Sequence, residues 1–442
     1  MVQLSTRIKA WLKVTIIAMI VSLPSICAKA NAILPSRIHT VDAITAAATD
    51  SISDIPADAS ITNAAVSLET AATGFNAAQL ATDSITTDSV VKKPGFFRRL
   101  LKSIAEGNQK PIGKKMVWSF VAGPGYGSDT KFGIGLCVTG MYRTDSLTLP
   151  SLLSIYSNVC TSGNVLLGVD GYHIFPGDKS RIDYNLFGSY YPKYYWGIGY
   201  DKGIDHSNKG SIKDTRVTLT GGYTYQFVKH LYAGPMLDLT SAWALKRDSI
   251  AMANWSEDQP TQVLSFGVGV QLYFDTRDNH TATKKGTYVL FKQMFYPKFF
   301  GNKMPFGLTE IKLLQFCPVW KGGTLAFALQ GKFGFGDVPW SKMPTFGGSY
   351  LMRGYYEGRF QDRCMVNAIF EVRQHIWRWF SAATWVGAGT VENKLKDFTF
   401  KHVLPCAGLG IRFEIRQNSS IRLDVGFGKQ DMGIAFRINE AF

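Results

Sequence analysis

Long apolar runs are missing from most of this 442-residue chain. After the first 32 residues no stretch stays apolar for the ~20 residues a membrane helix needs, which excludes a helical anchor there. Charge is scarce as well. Asp, Glu, Lys and Arg make up 18% of the residues, a poor mix for a soluble helical protein. Six cysteines include no Cys-x-x-Cys, so neither a zinc site nor a disulfide scaffold is expected. Cys137, Cys160, Cys317, Cys364 and Cys406 read as packed thiols. Gly-x-Ser-x-Gly and His-Glu-x-x-His are absent, and the seven histidines are scattered singly. Gly123-Pro124-Gly125-Tyr126-Gly127 lacks the Gly-Lys-Ser/Thr of a phosphate loop and reads as a hairpin loop. The chain is therefore expected to be no enzyme and to need no cofactor or metal.

Glycine and aromatic residues are plentiful, at 43 residues and 13%. Together they suit a membrane β-barrel, where glycine fits tight turns and aromatics line the interfaces. Residues 1–32 read as a signal peptide: Arg7, Lys9 and Lys13, then an apolar run from Val14 to Ile26. Cleavage is expected at Ala30-Asn31-Ala32 or Ala28-Lys29-Ala30, and Pro24-Ser25-Ile26 before Cys27 departs from a lipobox. Residues 33–91 hold one cation against seven acids, net −6, and a single aromatic. Such a segment buries too little apolar surface to offset its ordering entropy and is expected to be a disordered periplasmic tail. Residues 92–110 turn basic, and Phe97, Leu100, Leu101 and Ile104 share one face of an expected amphipathic helix. The whole chain carries +15, and +11 without the leader, which suits acidic lipid headgroups or lipopolysaccharide rather than nucleic acid in an exported barrel.

From Lys114 the period becomes two. Leu264, Phe266, Val268, Val270 and Leu272 alternate with Ser265, Gly267, Gly269 and Gln271. Ala407, Leu409, Ile411 and Phe413 alternate with Gly408, Gly410, Arg412 and Glu414, and Ile421, Leu423, Val425 and Phe427 with Arg422, Asp424, Gly426 and Gly428. Apolar residues outward and small or polar ones inward are the pattern of an all-β transmembrane barrel spanning residues 111–442. Sixteen antiparallel strands are predicted: 114–122, 131–143, 150–160, 164–174, 181–190, 213–226, 229–241, 262–275, 286–297, 307–318, 322–335, 363–375, 380–391, 402–415, 419–428 and 431–440. An even count puts both ends on the periplasmic side and long loops after odd strands, as at 191–212, 242–261 and 336–362. Tyr190 to Trp196 is accordingly assigned to the third long-side loop, and Trp377, Trp379 and Phe380 to a periplasmic aromatic girdle.

The last of those loops holds Gly347-Gly348-Ser349-Tyr350-Leu351-Met352-Arg353-Gly354-Tyr355-Tyr356-Glu357-Gly358. Met352-Arg353-Gly354-Tyr355 resembles the arginine-glycine-aromatic motif in the sixth extracellular loop of the BamA/TamA superfamily of outer-membrane proteins, the bacterial surface antigens. Asp275-Thr276-Arg277-Asp278-Asn279 with Gly286 resembles that family's Asp-x-Arg-Asp-Asn segment. Glu371-Val372-Arg373 resembles its Glu-x-Arg, and Phe436, Ile438 and Phe442 its closing-strand signal. These elements span residues 275–442, while 111–274 share the pattern alone.

The resemblance implies an outer-membrane barrel of a Gram-negative bacterium that inserts or translocates unfolded outer-membrane polypeptides. They would enter at a seam between the first strand (Met116–Ala122) and the last (Gly433–Ile438). The runner-up is a passive channel or structural surface antigen. The polypeptide-transport-associated domains usual in the family are not seen in 33–110. Arg353 is expected to fold inward onto Glu371 beside Arg373. The family offers that arginine a second carboxylate on the following strand, where this chain has Gly387. Inward-facing Asp424 or Glu414 is expected to substitute. Asp275, Arg277 and Asp278 read as a salt-bridged strand end, not a metal loop.

Overall fold

The computed structural model describes residues 114–442 apart from 128–130, 146, 147, 149, 281, 417, 418 and 439. The leader, tail and basic helix expected over 1–32, 33–91 and 92–110 lie outside the described residues.

Sixteen strands pair antiparallel in chain order. The first eight are β1 (Val117–Gly127), β2 (Lys131–Tyr142), β3 (Ser151–Cys160), β4 (Val165–Ile174), β5 (Ser180–Tyr195), β6 (Gly210–Val228), β7 (Leu231–Leu245) and β8 (Gln262–Asp275). They are followed by β9 (Gly286–Tyr296), β10 (Phe306–Trp320) and β11 (Gly323–Gly336). A two-residue ribbon, β12 (Thr345–Phe346) with β13 (Phe360–Gln361), closes the long loop after β11. The sheet resumes with β14 (Cys364–Trp377), β15 (Phe380–Glu392), β16 (Leu404–Arg416), β17 (Ser419–Gly428) and β18 (Asp431–Ile438). Two short helices, α1 (Tyr200–Ile204) and α2 (Ser249–Ala253), sit in the loops after β5 and β7. No helix among the described residues is long and apolar enough to cross a membrane. The crossing is made by strands.

The side chains sort as the period of two requires. Leu167, Leu186, Val217, Val270, Phe370, Val386, Leu409, Ile434 and Phe436 are exposed on the outer face. Such a belt of apolar side chains is stable only against lipid. Glu371, Trp385, Arg412, Arg422 and Asp424 are buried on the inner face. The core therefore lies inside the barrel. Phe346, Leu351, Met352, Tyr355 and Phe360 of the long loop pack on Leu314, Phe316, Ala326, Ala328, Ile369, Trp385 and Leu404 of the wall.

Two expected loops are strand. Gly123 to Gly127 continue β1 and pair with β2, Gly127 opposite Lys131. Glycine and proline read as turn signals, yet proline is tolerated on a strand whose donor side is unpaired. Tyr190 to Tyr195 extend β5, with Pro192 opposite Lys213 and Tyr195 opposite Gly210. The parity argument needed no additional strand there, because β5 and β6 simply outrun the ~9–11 residues that cross a bilayer. Cys137, Cys160, Cys364 and Cys406 are free thiols, but Cys317, expected to be one as well, is disulfide-bonded.

Candidate functional site

One level of the inner wall prepares the site. Strand register places Ala326, Glu371, Trp385, Gly408, Gly426 and Gly433 side by side across β11, β14, β15, β16, β17 and β18. Residues directly opposite in a ladder share a face, so this row is one shelf. Its small members let larger groups lie flat. The Trp385 indole covers Gly408, where a Cβ would stand 2.2 Å from the ring. The Arg353 guanidinium stacks on Trp385 at 3.6 Å. The Arg353 carbonyl then lies against Gly426, where an added Cβ would come within 2.2 Å of it.

The long loop is thus folded into the lumen and held by charge. Arg353 Nη2 donates to Glu371 Oε2, and its Nη1 donates to Asp424 Oδ2 at 2.9 Å. Arg373 Nε donates to the other Glu371 oxygen at 2.6 Å. Asp424 also accepts from Arg412 at 2.5 Å and from Arg422. Glu440 lies 3.2 Å from Arg412 and 3.6 Å from Arg373. Among the described residues this cluster sets the side chains of Arg353, Arg373, Arg412 and Arg422 against those of Glu371, Asp424 and Glu440, and Arg373 Nη2 also donates to Phe442 O at 3.1 Å. In a buried setting such pairs are worth little net, but removing one partner costs about 3–5 kcal/mol.

Of the two proposed substitute carboxylates, Asp424 meets Arg353 and Glu414 does not. Glu414 faces the same side but is exposed near the far end of β16. Gly387 also faces inward, yet no carboxylate fits there. A Cβ would sit 2.8 Å from the Ala368 carbonyl and 3.2 Å from Cys406 Sγ, and Cys406 itself touches Met352. The second carboxylate has moved two strands along the shelf.

Gly354 and Tyr355 complete the seat. Gly354 has φ +125° and rests on the backbone of β17 at Gly426 and Phe427. The Tyr355 hydroxyl donates to the Pro405 carbonyl at 2.6 Å and accepts from Lys429 N at 2.7 Å, its ring covering Gly428. Burial pushes the Tyr355 phenol well above its usual range, so it stays a donor.

The motif reading did not include Arg359, whose Nε donates to Gly203 O and Nη1 to Gln430 O, both at 2.9 Å, with Asp431 at 3.4 Å. It ties the loop to α1 and to the β17–β18 turn. Lys342 reaches Asp238 on the opposite wall at 2.6 Å, where Tyr296 also donates. Arg412 and Arg422 were visible only as inward positions on neighbouring strands.

The remaining motif residues lie elsewhere. Arg277 makes a two-point pair with Asp275, Nε to Oδ1 at 3.0 Å and Nη2 to Oδ2 at 2.8 Å. Asp278 accepts from the Lys284 and Lys285 amides at 3.0 and 3.2 Å, which pins the turn before Gly286. No cluster of metal-ligating groups occurs among the described residues. Phe436 is on the outer face, and Ile438 is paired with Ile421. Phe442 is no continuation of that outer face. The strand ends at Ile438, and the Phe442 ring packs inward on Phe316 beneath Arg373.

Asp362, at the foot of the ribbon, has its pKa pushed up to about 6, first by burial and then by Glu392 and Asp397, against the Arg363 amide that donates to it. Its folded value lies above the unfolded ~3.9. The stability it contributes is therefore complete below about pH 4 and is lost as pH rises through about 6. Hydrogen exchange over residues 357–363, corrected for intrinsic rates, is expected to lose protection between about pH 4 and 6, the interval between the two values, and to be flat there in Asp362→Asn.

A lipid-facing barrel whose lumen holds an inward-folded arginine-glycine-tyrosine loop defines a class of outer-membrane protein. An Omp85 superfamily domain matches residues 171–442, more than half the chain, and the protein belongs to that superfamily. Among solved structures, BamA from Haemophilus ducreyi lacking POTRA domains 1–3 is similar at 13% identity, over 73% of this chain and 70% of that one, with a TM-score of 0.50. That is a likeness of fold. CdiB from Acinetobacter baumannii is 11% identical over 73% of this chain and 59% of its own, with a TM-score of 0.45. No curated protein matches.

Proposed function

We propose that this barrel inserts or translocates polypeptides at the outer membrane, admitting an incoming strand between β1 and β18. The observation that carries the reading is an asymmetry. The ladder runs from β1 to β18, and the docked loop braces only one end of it. Arg353, Arg422 and Gly354 fasten β14 to β18 as one plate, and Arg437 on β18 donates to Ser349 of the loop at 3.1 Å. β1 is joined to β2 by its backbone ladder. An edge held firmly on one side and loosely on the other is suited to strand addition. In this reading both ends of the strand series and the turns after β2, β4, β6, β8, β10, β14 and β16 face the periplasm, the long loops after β5, β7 and β11 face outward, and the outer belt contacts lipid and lipopolysaccharide.

Depletion in the native bacterium, followed by profiling of the outer-membrane proteome, tests this. Several other barrel proteins are expected to fall together. An unchanged profile, with steady conductance of the purified barrel in planar bilayers, would instead identify a passive channel.

A further inference from the structure

Just inside the turn side of the lumen is a cavity of about 310 Å³, lined by Arg277, His280, Tyr288, Lys312, Tyr350 and Phe442 among others. We propose that it binds a phosphate-type oxyanion, a role separate from polypeptide insertion. Lys312 is the main reason. It projects inward from β10, has no hydrogen bond or close ion pair among the described residues, and shares the attraction of Glu310, two residues away on the same face, with Lys332 and Lys292. The nearby carboxylate of Glu310 is engaged by Gln330 at 2.8 Å and Lys332 at 4.0 Å. Lys292, opposite Glu310 on β9, has no ion pair either among the described residues.

The other groups add donors without adding negative charge. Arg277 is fixed by Asp275 and stacked over Tyr288 at 4.4 Å. Its Nη2 is 3.0 Å from His280 Nδ1. A histidine that accepts at Nδ1 carries its hydrogen on Nε2, leaving that nitrogen as a donor. Glu440, the one carboxylate side chain in the lining, is committed to Arg412 and Arg373, and Phe442 O also accepts from Arg373, at 3.1 Å. Arginine, lysine, imidazole and phenol donors around a partly enclosed space match an oxyanion with several acceptor oxygens. The rings of Tyr288, Tyr350 and Phe442 leave an apolar side for a carbon substituent. The source would be free phosphate or the phosphate of a lipid headgroup.

The test uses the full chain folded in non-ionic detergent, in low-salt buffer free of phosphate. Inorganic phosphate and glycerol 3-phosphate are titrated separately by calorimetry. Saturable binding is expected, about tenfold weaker in Lys312→Met, the size of one charged hydrogen bond. Tighter binding of glycerol 3-phosphate would point to a headgroup, and equal or tighter binding of inorganic phosphate to the free anion. His280→Ala, at an exposed turn position, should weaken binding with the barrel's heat-modifiable gel mobility unchanged. That variant decides the matter if Lys312→Met does not fold. Absence of saturable binding for both probes, or wild-type affinity in the folded variants, would overturn the proposal.

Discussion

Asp424→Ala is expected to release the inward loop, with a larger effect than any other single change in the charge cluster. Asp424 is the meeting point of three guanidiniums, those of Arg353, Arg412 and Arg422. Its loss leaves four arginines facing two carboxylates in a space with little water to screen them. Breaking a buried pair in this way costs about 3–5 kcal/mol. Glu371→Ala removes a carboxylate shared by two arginines, Arg353 and Arg373, and should follow closely. Arg353→Ala should be the mildest of the three, although it removes the motif residue itself. It leaves three arginines with three side-chain carboxylates, and the remaining loss is mainly the stack on Trp385, worth about 2 kcal/mol when desolvated. Hydrogen exchange across residues 345–361 measures the order. If Arg353→Ala releases the loop more than Asp424→Ala does, charge imbalance is not what governs docking.

Gly354→Val should expel the loop by a steric route. The residue's φ of +125° already excludes most side chains. The added Cβ would fall 2.8 Å from the Phe427 carbonyl carbon and 2.9 Å from Gly426, both backbone atoms of β17 that cannot swing aside. Backbone strain contributes about 1–3 kcal/mol, and overpacking a further ~1–3. Gly348→Ala is the control. Its φ of +101° is similarly strained, but its Cβ would meet the flexible Glu357 carboxylate at 3.2 Å. The expected outcome is a clear loss of exchange protection at 345–361 for Gly354→Val and a much smaller one for Gly348→Ala. Equal losses would mean that strain alone, and not contact with β17, fixes the position of Gly354.

Much of this architecture is written in alternation. Each of the sixteen wall strands is visible because one face is apolar and the other small or polar, and the period of two puts Glu371 and Arg373 on one face, where the structure has both side chains buried. What the alternation cannot convey is why the inner face is small. Glycine at 408, 426 and 428 reads simply as lumen, whereas in the fold it is the surface on which Trp385, Arg353 and Tyr355 lie. Glycine and proline also mislead at 123–127, where local turn propensity is overridden by pairing with β2. The substitute for the missing carboxylate could not be chosen by parity, since Glu414 and Asp424 both face inward. Only the height of each residue along its strand separates them, and that depends on the register between β16 and β17. Arg359 and Lys342 were invisible for a related reason: their partners are Gly203 O, Gln430 O and Asp238, more than seventy residues away.

Trypsin digestion of the folded wild-type barrel in detergent tests the docked loop most directly. Arg353 and Arg359 are buried, whereas Lys394 and Lys396, in another loop on the same side, are exposed. The expected result is cleavage after Lys394 or Lys396 while the bonds after Arg353 and Arg359 stay intact until the barrel is denatured. Cleavage after Arg353 as fast as after Lys396 would contradict a loop held inside the lumen.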